Sequence, residues 1–213
     1  MDAPEAAEAY ARADFSDSNA AFVSQLLQHY PAHLREIVDL GCGPADIAIR
    51  LARAVHGAHI TAVDASAPML QLASAALAAA GLAERVSLHQ GRLPGLALPA
   101  RHFDAVLSKD MLHHLPDPQV LWEEARRLAK PGAAICVMDL VRPDSPLAAR
   151  EIVERVAGRE HPLLKEDFYN SLCAAFTVRE VEAQLRTATL PLAVEQVSDR
   201  HMRIRGIVRA SPH

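Results

Sequence analysis

Two stretches of the sequence carry side chains whose types and spacing can do chemistry. The first, Val38-Asp39-Leu40-Gly41-Cys42-Gly43-Pro44-Ala45-Asp46, sets two glycines between an apolar run and an amphipathic one. Glycines at such a strand-to-helix turn allow a tight bend and close approach of the backbone to a ligand. Asp64 closes the next apolar run, where its carboxylate is placed to accept hydrogen bonds from a ribose diol. The second stretch, Ser108-Lys109-Asp110-Met111-Leu112-His113-His114, follows a further apolar run and opens on the same crevice. Asp110 and His113 are its candidates for touching a substrate or moving a proton. The plainer alternative is a loop carboxylate and a structural histidine. No Cys or further His stands at metal-ligand spacing from the histidine pair, so no metal site is expected.

The first turn also discriminates among nucleotides. Pyrophosphate needs free N–H groups at the helix start, where Pro44 removes one donor and Asp39 and Asp46 add negative charge. Asp46 stands where a G-x-G-x-x-G fingerprint requires its third glycine, and no GK[ST] follows for a phosphate loop. A nicotinamide-dependent oxidoreductase on a similar sheet is thus the weaker alternative. Acidic groups around a glycine turn suit a ligand with cationic groups, such as an ammonium or a sulfonium. S-adenosylmethionine has both, together with a ribose for Asp64.

Apolar and amphipathic segments alternate along the chain to position these turns. The first thirty residues read as helical, with Phe22, Leu26 and Tyr30 on one face, ending before Pro31. Glu36 to Leu40 is a short buried strand, followed by a helix from Pro44 to Val55. His59 to Val63 is a second strand, and Ser66 can cap a helix reaching Ala80 before Gly81. Val86 to Leu88 and Ala105 to Leu107 lie in third and fourth strands. Asp117-Pro118 starts a helix to Ala129, and Pro131-Gly132 turns the chain into a fifth strand, Ala134 to Leu140. Arg142 to Phe176 reads as mostly helical, and Thr177 with Glu180 forms a capping box for a helix through Leu185. Leu192 to Val197 and Met202 to Val208 are separated by too few residues for a parallel crossover, so they form a hairpin. The pattern predicts a doubly wound α/β fold, with a mostly parallel seven-stranded sheet and an antiparallel final edge strand.

Composition narrows the function classes. The 213 residues are 50% hydrophobic but only 4% aromatic, enough for one well-buried domain. Lys+Arg 22 against Asp+Glu 26 gives a net charge of −4, which provides no basic field for a nucleic-acid backbone. Nucleic acid is therefore not the expected partner. The acidic start lacks the apolar core of a signal peptide, and the alanine-rich run from Ala73 to Ala83 is too short for a bilayer. Cys42, Cys136 and Cys173 lie far apart without a CxxC spacing, so neither a disulfide framework nor a zinc knuckle is expected. These features point to a cytoplasmic protein without a membrane anchor; they leave the oligomeric state open.

The combined motifs resemble the class I S-adenosylmethionine-dependent methyltransferases, particularly the small UbiE-like type. The resemblance rests on VDLGCGPAD, TAVDAS, VSLHQGRLPGLALP and FDAVLSKDMLHHLPDP with the Pro131-Gly132 turn, and it covers most of the chain. It implies a Rossmann-like methyltransferase fold over a single domain, 1–213, with 1–33 as a helical cover and 142–176 as a helical lid. It further implies S-adenosylmethionine as methyl donor, S-adenosylhomocysteine as product and a small-molecule acceptor. On this resemblance Gly41 and Gly43, with Asp39 and Cys42, pass close to the methionyl part, and Asp64 holds the ribose. Ala65 and Met69 flank the adenine with Leu93 near its other face, and Gly91, Arg92 and Ser108 complete the cofactor set. Two positions depart from the family pattern. Ala45 replaces the usual third glycine, and Arg92 stands where an acidic residue usually accepts from the adenine amino group, although a guanidinium has no acceptor. In the expected lid, Arg142, His161 and Tyr169 are candidate substrate contacts, beside Lys165 and Asn170. Tyr10, from the expected cover, joins them, with Phe15 placed to close over the cofactor. A non-catalytic S-adenosylmethionine-binding protein is the remaining alternative, disfavoured because the glycine loop and the ribose acid are both present.

Overall fold

A computed structural model describes residues 15–30 and 34–208. In chain order it contains α1 (Ser16–His29), β1 (Glu36–Leu40), α2 (Asp46–Ala54), β2 (His59–Asp64), α3 (Ala67–Ala80) and β3 (Val86–Gln90). These are followed by β4 (Phe103–Lys109), a 3-10 turn (Leu112–His114), α4 (Gln119–Leu128), β5 (Ala129–Leu140), α5 (Pro146–Ala157) and α6 (Pro162–Ala174). The chain then forms α7 (Val178–Thr187), β6 (Ala193–Gln196) and β7 (His201–Ile207). The strands form one seven-stranded sheet in the order β3-β2-β1-β4-β5-β7-β6. Strands β1 to β5 pair in parallel, and β7 runs antiparallel to both β5 and β6.

The expected architecture is therefore present, with two refinements. The antiparallel final strand β7 lies between β5 and β6, so β6 is the outer edge. The fifth strand begins at Ala129, and Pro131-Gly132 sits within it: the pairing jumps from Phe103↔Ala129 to Ala105↔Ala134. A bulge tolerates proline because the extra residues leave the hydrogen-bond ladder.

Successive strand residues face opposite sides, which divides the core into two layers. Ile37, Ile60 and Leu107 pack with Phe22 and Leu26 of α1, Leu51 of α2 and Leu77 of α3. Val38, Val106 and Ile135 face the other way, onto Leu121 and Trp122 of α4 and Leu185 of α7. Because both faces are covered, the strands are continuous apolar runs. A smaller cluster joins Leu140, at the carboxyl end of β5, to Ile152 and Val153 of α5 and Leu172 of α6. No helix among the described residues is long and apolar enough to cross a membrane.

Local signals fix the helix ends. The Ser66 hydroxyl accepts from Met69 N at the start of α3, and Thr177 and Glu180 form the reciprocal capping box of α7. The end of α2 is closed from a distance: Arg85 donates from Nη1 to Ala52 O at 2.7 Å and from Nη2 to Val55 O at 2.7 Å and Ala58 O at 2.8 Å. A cation at a helix C-terminus meets both the unpaired carbonyls and the negative end of the helix dipole. Arg85→Ala should lower the unfolding free energy by about 2 kcal/mol, with Arg85→Lys recovering part of it. Urea titration checks this; a loss below about 0.5 kcal/mol would show that water replaces the guanidinium.

Candidate functional site

The crevice opens where the strand order reverses between β1 and β4, at the carboxyl ends of the strands. Its backbone converges on the end of β2. Gly41 N and Cys42 N both donate to Val63 O at 2.9 Å, and Gly91 N donates to Asp64 O at 3.0 Å. The Asp64 carboxylate accepts from Gly43 N and from Ser66 N, each at 2.8 Å. Gly41 and Gly43 have φ of +77° and +52°. Ala45, also left-handed at φ 65°, takes that conformation without glycine's freedom and precedes the first residue of α2. The predicted helix start at Pro44 is therefore displaced to Asp46.

A cavity of about 340 Å³ lies against this loop, lined among others by Phe15, Asn19, Asp39, Gly43, Lys109 and Asp110. Pockets for small ligands start at roughly 300 Å³. Its acids are unequally compensated. Asp46 accepts from Asn19 at 2.8 Å and from Arg50 at 2.7 Å, which also ties α1 to α2. The Lys109 ammonium pairs with Asp110, and it lies 6.0 Å from the centre of the Phe15 ring. Asp39 is 1% exposed, and its Oδ2 has no hydrogen-bond partner among the described residues. Burial, and then the charge of Asp64, push the Asp39 carboxyl up to about 7, against the opposing pull of Lys109. Burial likewise raises the Cys42 thiol, which lies 3.6 Å from Gly43 O. An orphaned buried carboxyl in a glycine-lined cavity fits a cationic ligand group, and Asp64 keeps lone pairs for hydroxyls on the ligand.

The remaining expected site residues fall into two sets. Ala65 and Met69 lie at the entry to α3: Met69 is buried, and the Ala65 carbonyl accepts from Gln90 at 3.4 Å. Leu93 packs against the β4–β5 layer, and Arg92 beside it is exposed. Asp110 adopts φ 56°, and its Oδ1 is buried without a partner among the described residues. His113 is buried, with Nδ1 2.7 Å from Asp139 Oδ1. The second set is occupied structurally. Ser108 donates to Leu40 O at 2.9 Å, pinning β4 to β1. Arg142 donates to Glu180 at 2.6 Å and to Ala175 O at 3.3 Å, so it braces the α7 cap. His161 is exposed and accepts from Leu163 N as the α6 cap. Tyr169 packs on the α5–α6 cluster with Arg150 over its ring at 4.6 Å. Tyr10 lies outside the described residues.

Asn19, Lys109 and Asp139 escaped the sequence reading of the site. Asp139 alone had a signal: an acid inside the apolar strand Ile135-Cys136-Val137-Met138-Asp139-Leu140, where burial demands a purpose. The glycine geometry makes a graded prediction. A Cβ on Gly41 would lie 2.7 Å from Met111 Sδ and 3.0 Å from Met111 Cβ, whereas one on Gly43 meets nothing within 4 Å. Gly43→Ala should cost about 1 kcal/mol from backbone strain alone, and Gly41→Ala about 2 kcal/mol or more. Denaturant titration separates them; equal losses would contradict the packing of Met111 on the loop.

Comparison with known proteins agrees with this geometry. A family described as "Methyltransferase domain" matches residues 37–132. A demethylmenaquinone methyltransferase of Lactiplantibacillus plantarum is 33% identical over 123 residues, 57% of this chain and 52% of the relative. A 27-O-demethylrifamycin SV methyltransferase of Amycolatopsis mediterranei is 28% identical over 163 residues, 76% of this chain and 56% of the relative. The chain thus spans about half the length of the curated relatives it matches. The crystal structure of an S-adenosylmethionine-dependent methyltransferase from Aquifex aeolicus shares the fold with a TM-score of 0.70 at 17% identity, covering 97% of this chain and 98% of that one. The plantazolicin methyltransferase BpumL, solved with S-adenosylhomocysteine, gives a TM-score of 0.73 at 14% identity over 97% of this chain and 90% of that one. The glycine turn and the acid of β2 thus lie within the segment that matches the methyltransferase domain family, and the β5–β7 pairing belongs to a fold shared with S-adenosylmethionine-dependent methyltransferases of known structure.

Proposed function

We propose that this chain transfers a methyl group from S-adenosylmethionine to a small-molecule acceptor, in the cytoplasm and without a nucleic-acid partner. The observation that carries the reading is a glycine-lined cavity at the sheet's switch point, with the buried carboxyl of Asp39 in its wall and its Oδ2 without a hydrogen-bond partner among the described residues. The acceptors named for two relatives, a demethylmenaquinone and a demethylrifamycin, are small molecules.

When bound, the cofactor supplies a methyl carbon on a positively charged sulfur. The chain's own residues do the rest. Asp39 faces the cationic groups, Gly41 and Gly43 let the backbone approach, and Asp64 offers its remaining lone pairs to the ribose hydroxyls. Ala65, Met69 and Leu93 supply apolar contact for the adenine, with Gly91 and Arg92 at its edge. Phe15 and Asn19 also line the cavity, where they exclude water and so favour an in-line approach of the acceptor. Residues 142–176, as the lid, would bound the acceptor side through α5 and α6.

Calorimetric titration with S-adenosylhomocysteine tests the reading directly. Wild-type protein should bind it, and Asp64→Ala should weaken binding by at least about tenfold, since both hydroxyl contacts and the tie to Gly43 are lost. Unchanged affinity in a folded Asp64→Ala protein would sink the assignment. A second expectation concerns pH. A carboxylate attracts a cation and a carboxylic acid does not, so cofactor binding favours the deprotonated form of Asp39. Affinity for S-adenosylmethionine should rise severalfold as pH increases through about 7. Asp39→Asn should flatten that dependence, and a profile that persists in the variant would assign the titration elsewhere.

A further inference from the structure

The cavity wall holds one more ionic group whose partnering is incomplete. Lys109 is the last residue of β4, and its side chain is only 5% exposed. An ammonium has three N–H donors, and burial makes each one that stays unpaired costly. Asp110 accepts from one of them. The other two make no hydrogen bond among the described residues, and the Phe15 ring centre lies 6.0 Å away.

The Asp110 partner is held at a cost of its own. Successive strand side chains point to opposite faces, so neighbours along β4 do not pair. Asp110 meets Lys109 because it leaves the strand in the left-handed region, at φ 56°, which is unfavourable for any residue with a Cβ. Its Oδ1 is buried without a partner among the described residues, so Oδ2 alone serves the lysine. The pair therefore leaves donors unused on one side and an acceptor unused on the other.

Both residues line the cavity together with Asp39 and the glycine loop. Burial and the charge of Asp64 raise the proton affinity of Asp39, and Lys109 is close enough to oppose them. The wall thus sets a cation with spare donors near an acid whose Oδ2 has no partner among the described residues. That is the electrostatic complement of an α-amino acid group, whose ammonium and carboxylate share one carbon.

We propose that Lys109 and Asp110 form a carboxylate-exchange site, in which a ligand carboxylate competes with Asp110 for the buried ammonium. The inference rests on the methyltransferase reading above and adds a binding residue and its competitor to it. Exchange keeps the ammonium paired, so its desolvation does not oppose binding. What is given up is a contact made in a costly backbone conformation. A ligand carboxylate free to turn can accept from two N–H groups where Asp110 accepts from one. Two sources offer this group: the amino-acid end of S-adenosylmethionine and a carboxylate on the methyl acceptor. The nearness of Asp39, which faces the cofactor's cationic groups, favours the first.

Calorimetry on the full chain with S-adenosylhomocysteine and methylthioadenosine tests the exchange and identifies its source. Both ligands carry adenosine and a thioether, but only the first carries the ammonium and carboxylate. Lys109→Met should weaken S-adenosylhomocysteine at least about tenfold and leave methylthioadenosine within about twofold. Asp110→Asn removes the competitor, so it should tighten S-adenosylhomocysteine about threefold or more, a gain that vanishes in the double variant. If the carboxylate belongs to the acceptor, Lys109→Met spares both nucleosides. Benzoate titrated into the S-adenosylhomocysteine complex should then bind the wild type, bind Asp110→Asn more tightly, and not bind Lys109→Met. Lys109→Gln replaces Lys109→Met if the latter does not fold, and the Asp110→Asn comparison decides where methylthioadenosine binds too weakly to measure. Equal losses on both nucleosides in Lys109→Met would overturn the inference, as would an Asp110→Asn protein that tightens neither carboxylate ligand. Unchanged nucleoside affinities in Lys109→Met, with no binding of benzoate to the wild-type complex, would overturn it too. Wild-type protein that binds neither nucleoside would overturn the underlying methyltransferase reading instead.

Discussion

The end of β2 is the constraint on which the crevice depends. Val63 O takes two N–H groups of the glycine loop, Asp64 O takes Gly91 N, and the Asp64 carboxylate reaches Gly43 N and Ser66 N. Three separate turns, those after β1, β2 and β3, are thereby fixed to one dipeptide. Backbone amides in tight turns cannot pair with one another, and left unpaired in a partly buried site they would be costly. A carboxylate with several lone pairs is the side chain that can satisfy two of them and still accept from a ligand. The same carboxylate that shapes the loop therefore keeps lone pairs beyond the two it gives to the backbone.

Charge is arranged around that backbone frame with a deliberate imbalance. Asp46 pairs with Arg50 and accepts from Asn19, Asp110 pairs with Lys109, and Asp139 is bonded by His113 and backbone donors. Among the described residues Asp39 has no such partner for its Oδ2, although it is 1% exposed. An isolated buried carboxyl is tolerated by neutralising itself, and a raised proton affinity is how that appears. The arrangement makes sense energetically when a positive ligand completes it, because the attraction then acts in a medium of low dielectric. The strain of Ala45 at φ 65° belongs to the same account, since the loop holds a left-handed turn there without a glycine.

Much of this was legible in the sequence because it depends on local rules. The alternation of apolar and amphipathic segments, the Ser66 and Thr177 caps, and the hairpin forced by a short connection all follow from spacing. The glycine turn and Asp64 likewise declared themselves by position. What stayed hidden depends on partners distant in sequence. The pairing of Arg142 with Glu180, which also serves the α7 capping box, joins residues 38 positions apart and left no local signal. Ser108 looked like a site residue, but a buried hydroxyl must find an acceptor, and Leu40 O is the one in reach. The Pro131-Gly132 pair read as a turn before a strand because a bulge within a strand presents the same residues.

The two halves of the crevice are built by different means, and this explains how relatedness is distributed along the chain. The half at β1, β2 and β3 is made largely of backbone held by backbone, with Asp64 as the chief side-chain participant. Such a site tolerates little variation, because its glycines and acid answer to geometry. The other half is made of side chains: Lys109 with Asp110, His113 with Asp139, and the α5–α6 cluster over the end of β5. The family match spans residues 37–132, so it takes in the first half and stops before Asp139, α5 and α6. A frame fixed by main chain is thus joined to a wall composed of side chains. The two meet where Met111, leading into the Leu112–His114 turn, packs on Gly41.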